Sequence, residues 1–327
     1  MKHVFIIHSH TLFLTAIGTI ESLSLEDNKI IFLYARNYKN DIFTVPYKII
    51  DISNLYRSFQ VGNKLFWNRK FRKTKIKEVD SFIKLQICEK YIFYAPHYAF
   101  PLFQVFYTNV LCESGCYLQE GGIPFKKAYS IEFSILKKIY YFIMNYVIIR
   151  DGRVVLPNKW YIKGFLSKQK KVLAFSISKD FFRYLPAEIH IVSWPKIQQN
   201  LGFSSLYPFF IFDGYVNNHR IERDVYLNKC KDLIEKESKE MNYIKFHPVQ
   251  DIKEREEILS FFPSGKSFQI INDGIPFEII LLSYGNIVVI GFDSSLLYFA
   301  RDLGHTVRSY RDWLLVSTKF QEYISSL

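Results

Sequence analysis

Short apolar segments that alternate with segments of helical spacing are the feature that most constrains how this chain can fold. Predicted strands, rich in β-branched and aromatic residues, lie at 4–8, 29–34, 47–52, 91–94, 208–212, 243–246, 268–271 and 286–290. Predicted helices lie at 12–25, 219–239, 251–261, 276–282 and 294–302. Strands that alternate with helices form parallel βαβ units, so the sequence predicts an α/β protein.

A polar stretch without periodicity, residues 195–207, divides the chain. A length of 327 residues is long for one core. We therefore expect a Rossmann-like domain at 1–194, a linker at 195–207 and a second Rossmann-like domain at 208–327, the two domains facing a cleft. The last helix is expected to pack back on the first domain.

The charge balance indicates an anionic partner. The chain has 43 Lys and Arg against 31 Asp and Glu, a net charge of +12, which suits nucleic acid, a membrane surface or an anionic substrate. The basic, aromatic-rich segment 56–90 is either a solvated helix face or an anion-facing patch. The predicted helix 130–149 either lies at a membrane interface or is a core helix with snorkelling lysines.

The sequence shows no recognisable targeting signal, so we expect a cytoplasmic protein. The first residues form a short apolar run without the features of a signal peptide. No window of 18 apolar residues is free of charge, so no transmembrane span is expected. Four cysteines without a disulfide pattern fit a reducing compartment.

Three polar motifs in the last third each come where a predicted strand gives way to a loop or helix. They are His247-Pro248, Glu278 after Pro276-Phe277, and Ser294-Ser295. Each has a structural explanation alone: an extended residue before proline, an acid in the first helical turn, and a helix cap. Together they suit a nucleotide, since carboxylates bind ribose hydroxyls, and hydroxyls at a helix N-terminus bind phosphate.

The first domain has one comparable element, Gln119-Glu120-Gly121-Gly122, which is typical of a strand that ends in an acid on a glycine turn.

Other patterns that would indicate a metal or phosphate site are incomplete. The sequence has no Asp-x-Asp pair for a divalent metal. Ser264-Gly265-Lys266-Ser267 is similar to a phosphate-binding loop, but Ser260 stands where that loop needs its first glycine.

The four motifs, in this order, resemble those of bacterial sialyltransferases of the GT-B type. That family has an acidic–acidic–Gly motif, then His-Pro, Pro-Phe-Glu and a Ser-Ser/Thr pair. Here Gln119 replaces the first acid, Glu120 is one methylene longer than the expected Asp, and Phe246 replaces a glycine that often precedes His-Pro.

The resemblance implies a two-domain GT-B fold and an inverting transfer of sialic acid from CMP-sialic acid, with no metal and no cofactor. The residues it implies are Glu120 as general base, His247 as phosphate contact and general acid, Pro248 beside it, Glu278 for the ribose, and Ser294 and Ser295 for the phosphate. The acceptor pocket is expected in loops of the first domain, where the sequence offers His8, His10 and His97 as candidates.

The implied acceptor is a terminal sugar, of galactose type, on a bacterial lipopolysaccharide or capsule glycan. The protein would work in the cytoplasm, in peripheral contact with the anionic inner membrane, and without nucleic acid. One alternative is a GT-B transferase that uses another CMP-activated ulosonic acid, such as Kdo. A remote alternative is a basic nucleic-acid-binding protein, which would need a continuous basic stripe.

Overall fold

A computed structural model describes residues 1–40, 42–62, 64–121, 135–155, 172–182, 185, 187–197 and 199–325. The chain divides into two compact units, Met1–Trp194 and Pro195–Leu327. Each unit is described by itself below.

A seven-stranded parallel sheet, counted over the described residues, forms the centre of the first unit. Its strands are β1 (Lys2–Ile7), β2 (Ile30–Tyr34), β3 (Lys48–Asp51), β4 (Tyr91–Ala95), β5 (Cys112–Leu118), β6 (Leu173–Ser176) and β7 (Glu188–Ile191). Their order is β3-β2-β1-β4-β5-β6-β7. The residues that follow β1, β2, β4 and β5 therefore lie side by side on one edge.

The helices of the first unit cover this sheet. They are α1 (His10–Ser22), α2 (Ser53–Ser58), α3 (Lys64–Trp67), α4 (Arg69–Gln86), α5 (Pro101–Tyr107) and α6 (Ile135–Phe142), with a 3-10 helix at Asp27–Lys29 and a π-helix at Ile143–Ile149. Helix α1 begins after Ser9, whose hydroxyl accepts from the Leu12 N–H, and α4 begins after Asn68, which accepts from the Phe71 N–H. Such caps satisfy N–H groups that have no partner inside the helix.

The second unit is built on a five-stranded parallel sheet, again counted over the described residues. Its strands are β8 (Phe209–Phe212), β9 (Met241–Phe246), β10 (Ser267–Ile270), β11 (Val288–Gly291) and β12 (Thr306–Ser309), in the order β10-β9-β8-β11-β12. Its helices are α7 (Arg223–Glu237), α8 (Ile252–Ser260), α9 (Phe277–Ser283), α10 (Ser295–Asp302) and α11 (Thr318–Ser325), with a 3-10 helix at Arg311–Val316.

The last helix contributes to the core of its own unit. Phe320 of α11 is fully buried and packs edge-on against Tyr215, with ring centroids 5.4 Å apart. Arg220 lies over the ring of Tyr323 and donates to its hydroxyl (3.0 Å). The expectation that this helix also packs back on the first domain stays a prediction.

The predicted fold class, two Rossmann-like α/β domains, is confirmed by the two parallel sheets. The strands β6, β7 and β12 were missed; β7 and β12 are edge strands with polar side chains, which lack the apolar pattern of a buried strand. Of the helix predicted at 130–149, residues 130–134 lie outside the described residues, and the rest is α6 and the π-helix. Over the described residues, no helix is long and apolar enough to span a bilayer.

The close packing of α1 against the end of the first unit gives a stability prediction. A β-carbon on Gly18 would lie 2.3 Å from the carbonyl oxygen of Ser193, whereas one on Gly152 would meet no atom within 4 Å. We expect Gly18→Ala to lower the free energy of unfolding by about 1–3 kcal/mol, because the backbone must move. Urea unfolding measures this. Gly152→Ala is the control, and an equal effect of both substitutions would contradict the packing argument.

Candidate active site

In the first unit, four chemically active side chains follow neighbouring strands at one edge of the sheet. His8 comes one residue after β1, Arg36 two after β2, His97 two after β4 and Glu120 two after β5. Parallel strands bring such residues together, and this edge is where α/β proteins bind ligands.

Glu120 lies against His8. Its Oε1 atom is 3.3 Å from Nδ1 of His8, whose side chain is fully buried, while the Glu120 side chain keeps 28% of its surface exposed. The carboxylate therefore has one fixed neighbour and one open side. Gly121 follows with a positive φ of 54°, a conformation that glycine adopts without strain and that turns the chain at this point. Gly122 lies outside the described residues.

Gln119, which replaces the first acid of the family motif, has a structural role. It is fully buried, and its amide oxygen accepts from the Ser176 hydroxyl and the Ile177 N–H, both at 2.8 Å. These bonds tie the end of β5 to the end of β6. The amide thereby fixes the backbone from which Glu120 projects.

Burial sets the protonation states of this cluster. It raises the pKa of Glu120 to about 7, against the opposing effect of Arg36. Burial first, and the charge of Arg36 in addition, lower the pKa of His8 to about 3 and that of His97 to about 4. Both imidazoles are therefore neutral at physiological pH, and Glu120 titrates where a general base is most effective.

Arg36 was not found from the sequence. It has a left-handed backbone (φ 57°), its Nε donates to the Tyr56 hydroxyl (2.8 Å), and Tyr56 is buried in a stack with Phe100. The guanidinium is thus held by a rigid aromatic pair. A basic residue just after a predicted strand was the only available signal.

The structure separates the three histidine candidates. His8 and His97 belong to the cluster with Glu120, and their pKa values respond to the same arginine. His10 is the first residue of α1, and its Nδ1 lies 3.1 Å from the Tyr38 hydroxyl. It is thereby directed toward the segment after β2 rather than toward the carboxylate.

In the second unit, His247 follows β9 directly and its side chain is exposed. Its Nδ1 accepts from the Val249 N–H (3.2 Å), so in the neutral ring the proton is on Nε2. The backbone N–H of His247 donates to Phe212 (3.0 Å) and Gln250 (2.9 Å). With Nδ1 held in this way, the Nε2–H of the exposed ring can donate a hydrogen bond to an anion.

His247 is in an electropositive environment. Partial desolvation lowers its pKa, and so do the guanidinium groups of Arg220 and Arg255. Arg255 also donates to the His247 carbonyl oxygen (3.2 Å) and pairs with Asp273 (3.1 Å). The protein alone therefore keeps the ring neutral. A bound anion would act in the opposite direction and raise the pKa.

A buried lysine fixes the loop that leads to Glu278. The Lys245 ammonium donates to the carbonyl oxygens of Asn272 and Ile275, both at 2.9 Å. Glu278 is half-buried in the first turn of α9, after Pro276 at the N-cap. Burial lowers the pKa of Lys245, and Asp273 and Glu278 oppose that effect. Lysine and carboxylate are thus close enough to interact.

The serine pair stands at the start of α10. Ser294 is the N-cap, and its hydroxyl oxygen is 3.4 Å from the Leu296 N–H, while Ser295 is the first helical residue. The capping explanation is therefore realised, although by a long hydrogen bond. The two hydroxyl protons can still be donated to an anion.

The second-unit candidates share one edge of their sheet. Glu278 follows β10, His247 follows β9, and Ser294 follows β11, while β8 lies between β9 and β11. Gly214, after β8, allows close packing here, since a β-carbon on it would lie 2.2 Å from a methyl of Val249 and 3.1 Å from the His247 ring. Over the described residues, no group of three His, Cys, Asp or Glu side chains could hold a metal ion.

Solved structures share this fold at low sequence identity. The MnaA–UDP complex of S. aureus matches with a TM-score of 0.52 and 11% identity, over 99% of this chain and 82% of that one. A sialyltransferase from Photobacterium damsela matches with a TM-score of 0.52 and 14% identity, over 98% of this chain and 77% of that one. A putative UDP-N-acetylglucosamine 2-epimerase from Listeria monocytogenes matches with a TM-score of 0.51 and 11% identity, over 99% of this chain and 82% of that one. At such identities these likenesses show the fold alone, that of GT-B transferases and related epimerases.

Sequence comparison gives the family. No curated protein matches the chain significantly. The model of the family described as alpha-2,8-polysialyltransferase (POLYST) matches residues 66–309, from α3 to the end of β12, and so includes Glu120 and all three second-unit motifs. Because this match covers most of the chain, the protein belongs to the alpha-2,8-polysialyltransferase family and is a glycosyltransferase of the sialyltransferase class.

Proposed function

We propose that the enzyme transfers sialic acid from CMP-sialic acid to a hydroxyl of a bacterial surface glycan, with inversion and without a metal ion. The observation that carries this proposal is Glu120, a carboxyl group with a pKa near 7 at the strand edge of the first unit. A sugar hydroxyl is a weak acid and needs such a base as it attacks.

The first unit would bind the acceptor. Glu120 would take the proton from the attacking hydroxyl. His8, neutral and buried, would hold the carboxylate at 3.3 Å, and His97 would offer a second neutral imidazole. Arg36, held by Tyr56, would keep part of Glu120 ionised. The role of His10, which lies against Tyr38, would be limited to the rim of this site.

The second unit would bind the donor. The hydroxyls of Ser294 and Ser295, with the N–H groups at the start of α10, would hold the phosphate. The Nε2–H of His247 would donate to it beside Pro248, and would protonate it if the bound phosphate raises the pKa of the ring. Glu278 would accept from the cytidine ribose. These donors would stabilise the negative charge that accumulates on CMP as it leaves, a task that elsewhere falls to metal ions.

The sequence and the matched family suggest different acceptor sugars. From the sequence we expect a galactose-type hydroxyl, but the motifs fix neither the acceptor sugar nor the linkage. The matched family is described as alpha-2,8-polysialyltransferase, which favours a sialic acid acceptor. We propose a glycan that ends in sialic acid, part of a capsule or lipopolysaccharide. Such glycans are assembled on lipid carriers, and the net charge of +12 suits work at the anionic cytoplasmic face of the inner membrane.

A donor and acceptor panel tests the proposal. The purified enzyme is incubated in EDTA with CMP-sialic acid or CMP-Kdo, and with acceptors that end in sialic acid or galactose. Mass spectrometry and NMR of the new linkage should show an inverted sialyl product on the sialic acid acceptor. Transfer from CMP-Kdo alone would establish the alternative donor. Activity that requires added Mg²⁺ or Mn²⁺ would overturn the metal-independent mechanism.

The role of Glu120 predicts a specific pH dependence. The base must be ionised, so kcat/KM should rise with pH through a midpoint near 7, the pKa of this carboxyl. Glu120→Gln should lower turnover by about 10²–10⁴ and remove this limb of the profile. Arg36→Gln should move the midpoint to higher pH, because Arg36 lowers the pKa of Glu120.

The matched control for this test is Glu113→Gln, on the same strand, where the carboxylate is exposed and pairs with Lys90. It should leave both the rate and the profile unchanged. If Glu120→Gln retains turnover within threefold of the unmodified enzyme, with normal CMP binding, then Glu120 is not the base.

The serine pair predicts a difference between two ligands. Ser294→Ala with Ser295→Ala should weaken CMP binding about tenfold or more, because each hydroxyl donates to a charged phosphate. Cytidine, which lacks the phosphate, should bind nearly as before. Calorimetric titration of both ligands measures this. An equal loss for CMP and cytidine would mean that the pair only caps α10.

A further inference from the structure

Helix α6 and the π-helix after it present an apolar surface that the catalytic proposal does not use. Large apolar side chains between 135 and 147 are each at least 42% exposed: Ile135, Leu136, Ile139, Tyr140, Phe142, Ile143, Tyr146 and Val147. Elsewhere in the first unit, residues such as Leu85 and Val110 are exposed without such neighbours. Contiguous apolar surface of this kind marks an interaction site.

The segment is firmly attached to the unit that carries it. Met144 and Ile149 are buried in the core. The buried Arg72 donates to the carbonyl oxygen of Ile149 (2.6 Å), and Arg69 donates to that of Ile148 (3.0 Å). Helix α4 and the π-helix are thus joined by hydrogen bonds from side chains to backbone carbonyls. These bonds and the buried residues fix the backbone that carries the exposed apolar side chains.

The surroundings of this segment are aromatic and basic. Trp67 of α3, which packs against the π-helix, is 56% exposed. The exposed cationic residues nearby in these elements are Lys64, Arg69, Lys70, Lys73, Lys138 and Arg150. The stretches 64–77 and 135–150 contain no Asp or Glu; Glu78 and Asp151, which follow them directly, pair with Lys75 and Arg72. Exposed apolar side chains that include Trp and Tyr, beside a mainly cationic flank, are the composition of helices that lie in a bilayer interface.

We propose that this region, the exposed side chains of α6 and the π-helix with the cationic start of α4, binds the surface of an anionic phospholipid bilayer. The apolar side chains would enter the headgroup region and the lysines and arginines would meet lipid phosphates. A protein partner is a poorer fit, because the centres of protein interfaces are depleted in charged residues and in lysine particularly, whereas most of the exposed cationic residues named above are lysines. The inference rests on the proposed function only in that a lipid-linked acceptor gives the surface its purpose.

Vesicle sedimentation tests the proposal without any catalytic step. The full chain should bind vesicles of phosphatidylglycerol mixed with phosphatidylcholine, and bind phosphatidylcholine vesicles much more weakly. Leu136→Ser, Phe142→Ser and Tyr146→Ser together should reduce binding about tenfold or more, since these exposed side chains supply apolar area. Lys70→Gln, Lys73→Gln and Lys138→Gln should reduce only the binding to anionic vesicles and its sensitivity to salt.

The matched control combines Leu85→Ser with Val110→Ser, which removes exposed apolar area elsewhere on the same unit and should leave binding intact. All variants should transfer sialic acid to a soluble acceptor at the normal rate, which separates this proposal from the catalytic one. Failure of the unmodified protein to bind anionic vesicles, or full binding by the apolar triple variant, would overturn it. Dimerisation that the triple variant abolishes, without lipid binding, would assign the surface to a second copy instead.

Discussion

Parallel strand pairing is the constraint on which the rest of the structure depends. Within each sheet all the strands are parallel, so every residue that follows a strand reaches the same edge of that sheet. The central strands are buried on both faces and must be apolar, as in β1, where Val4 to Ile7 are fully buried. Polar chemistry is thereby confined to strand ends. That is why Glu120 and His8, far apart in sequence, lie 3.3 Å from each other.

The two units use this arrangement with opposite electrostatics. In the first, burial keeps His8 and His97 neutral and brings the pKa of Glu120 to about 7, which suits removal of a proton. In the second, His247 is exposed, near Arg220 and Arg255, with the proton of its neutral ring on Nε2, and the serine hydroxyls at the start of α10 can also donate, which suits an anion. A transferase that joins a sugar hydroxyl to a phosphate-activated donor needs one environment of each kind.

The fold class and the strand ends near the motifs could be predicted from the sequence, because an apolar strand precedes each motif and shows where the strand ends. His247 and the serine pair were located at strand ends in this way. The rest depended on tertiary geometry. Arg36 belongs to a polar loop and joins the cluster through a left-handed turn. His8 and His10 differ only because α1 begins at His10 and turns it toward Tyr38. The helix predicted at 130–149 had the periodicity of both a core helix and a surface helix, and only the accessible surface of α6 distinguishes them.

The raised pKa of Glu120 has a consequence for the fold itself. A carboxyl group whose pKa rises from 4.5 to about 7 on folding binds its proton more tightly in the native state than in the unfolded chain. The stability that this proton gives is fully present below about pH 4.5 and is lost as pH rises through 7, a change on the order of 3 kcal/mol. For this group alone, the protonated form that favours the fold is the form that cannot accept a proton, so the base that we propose would ionise at a cost in resistance to unfolding.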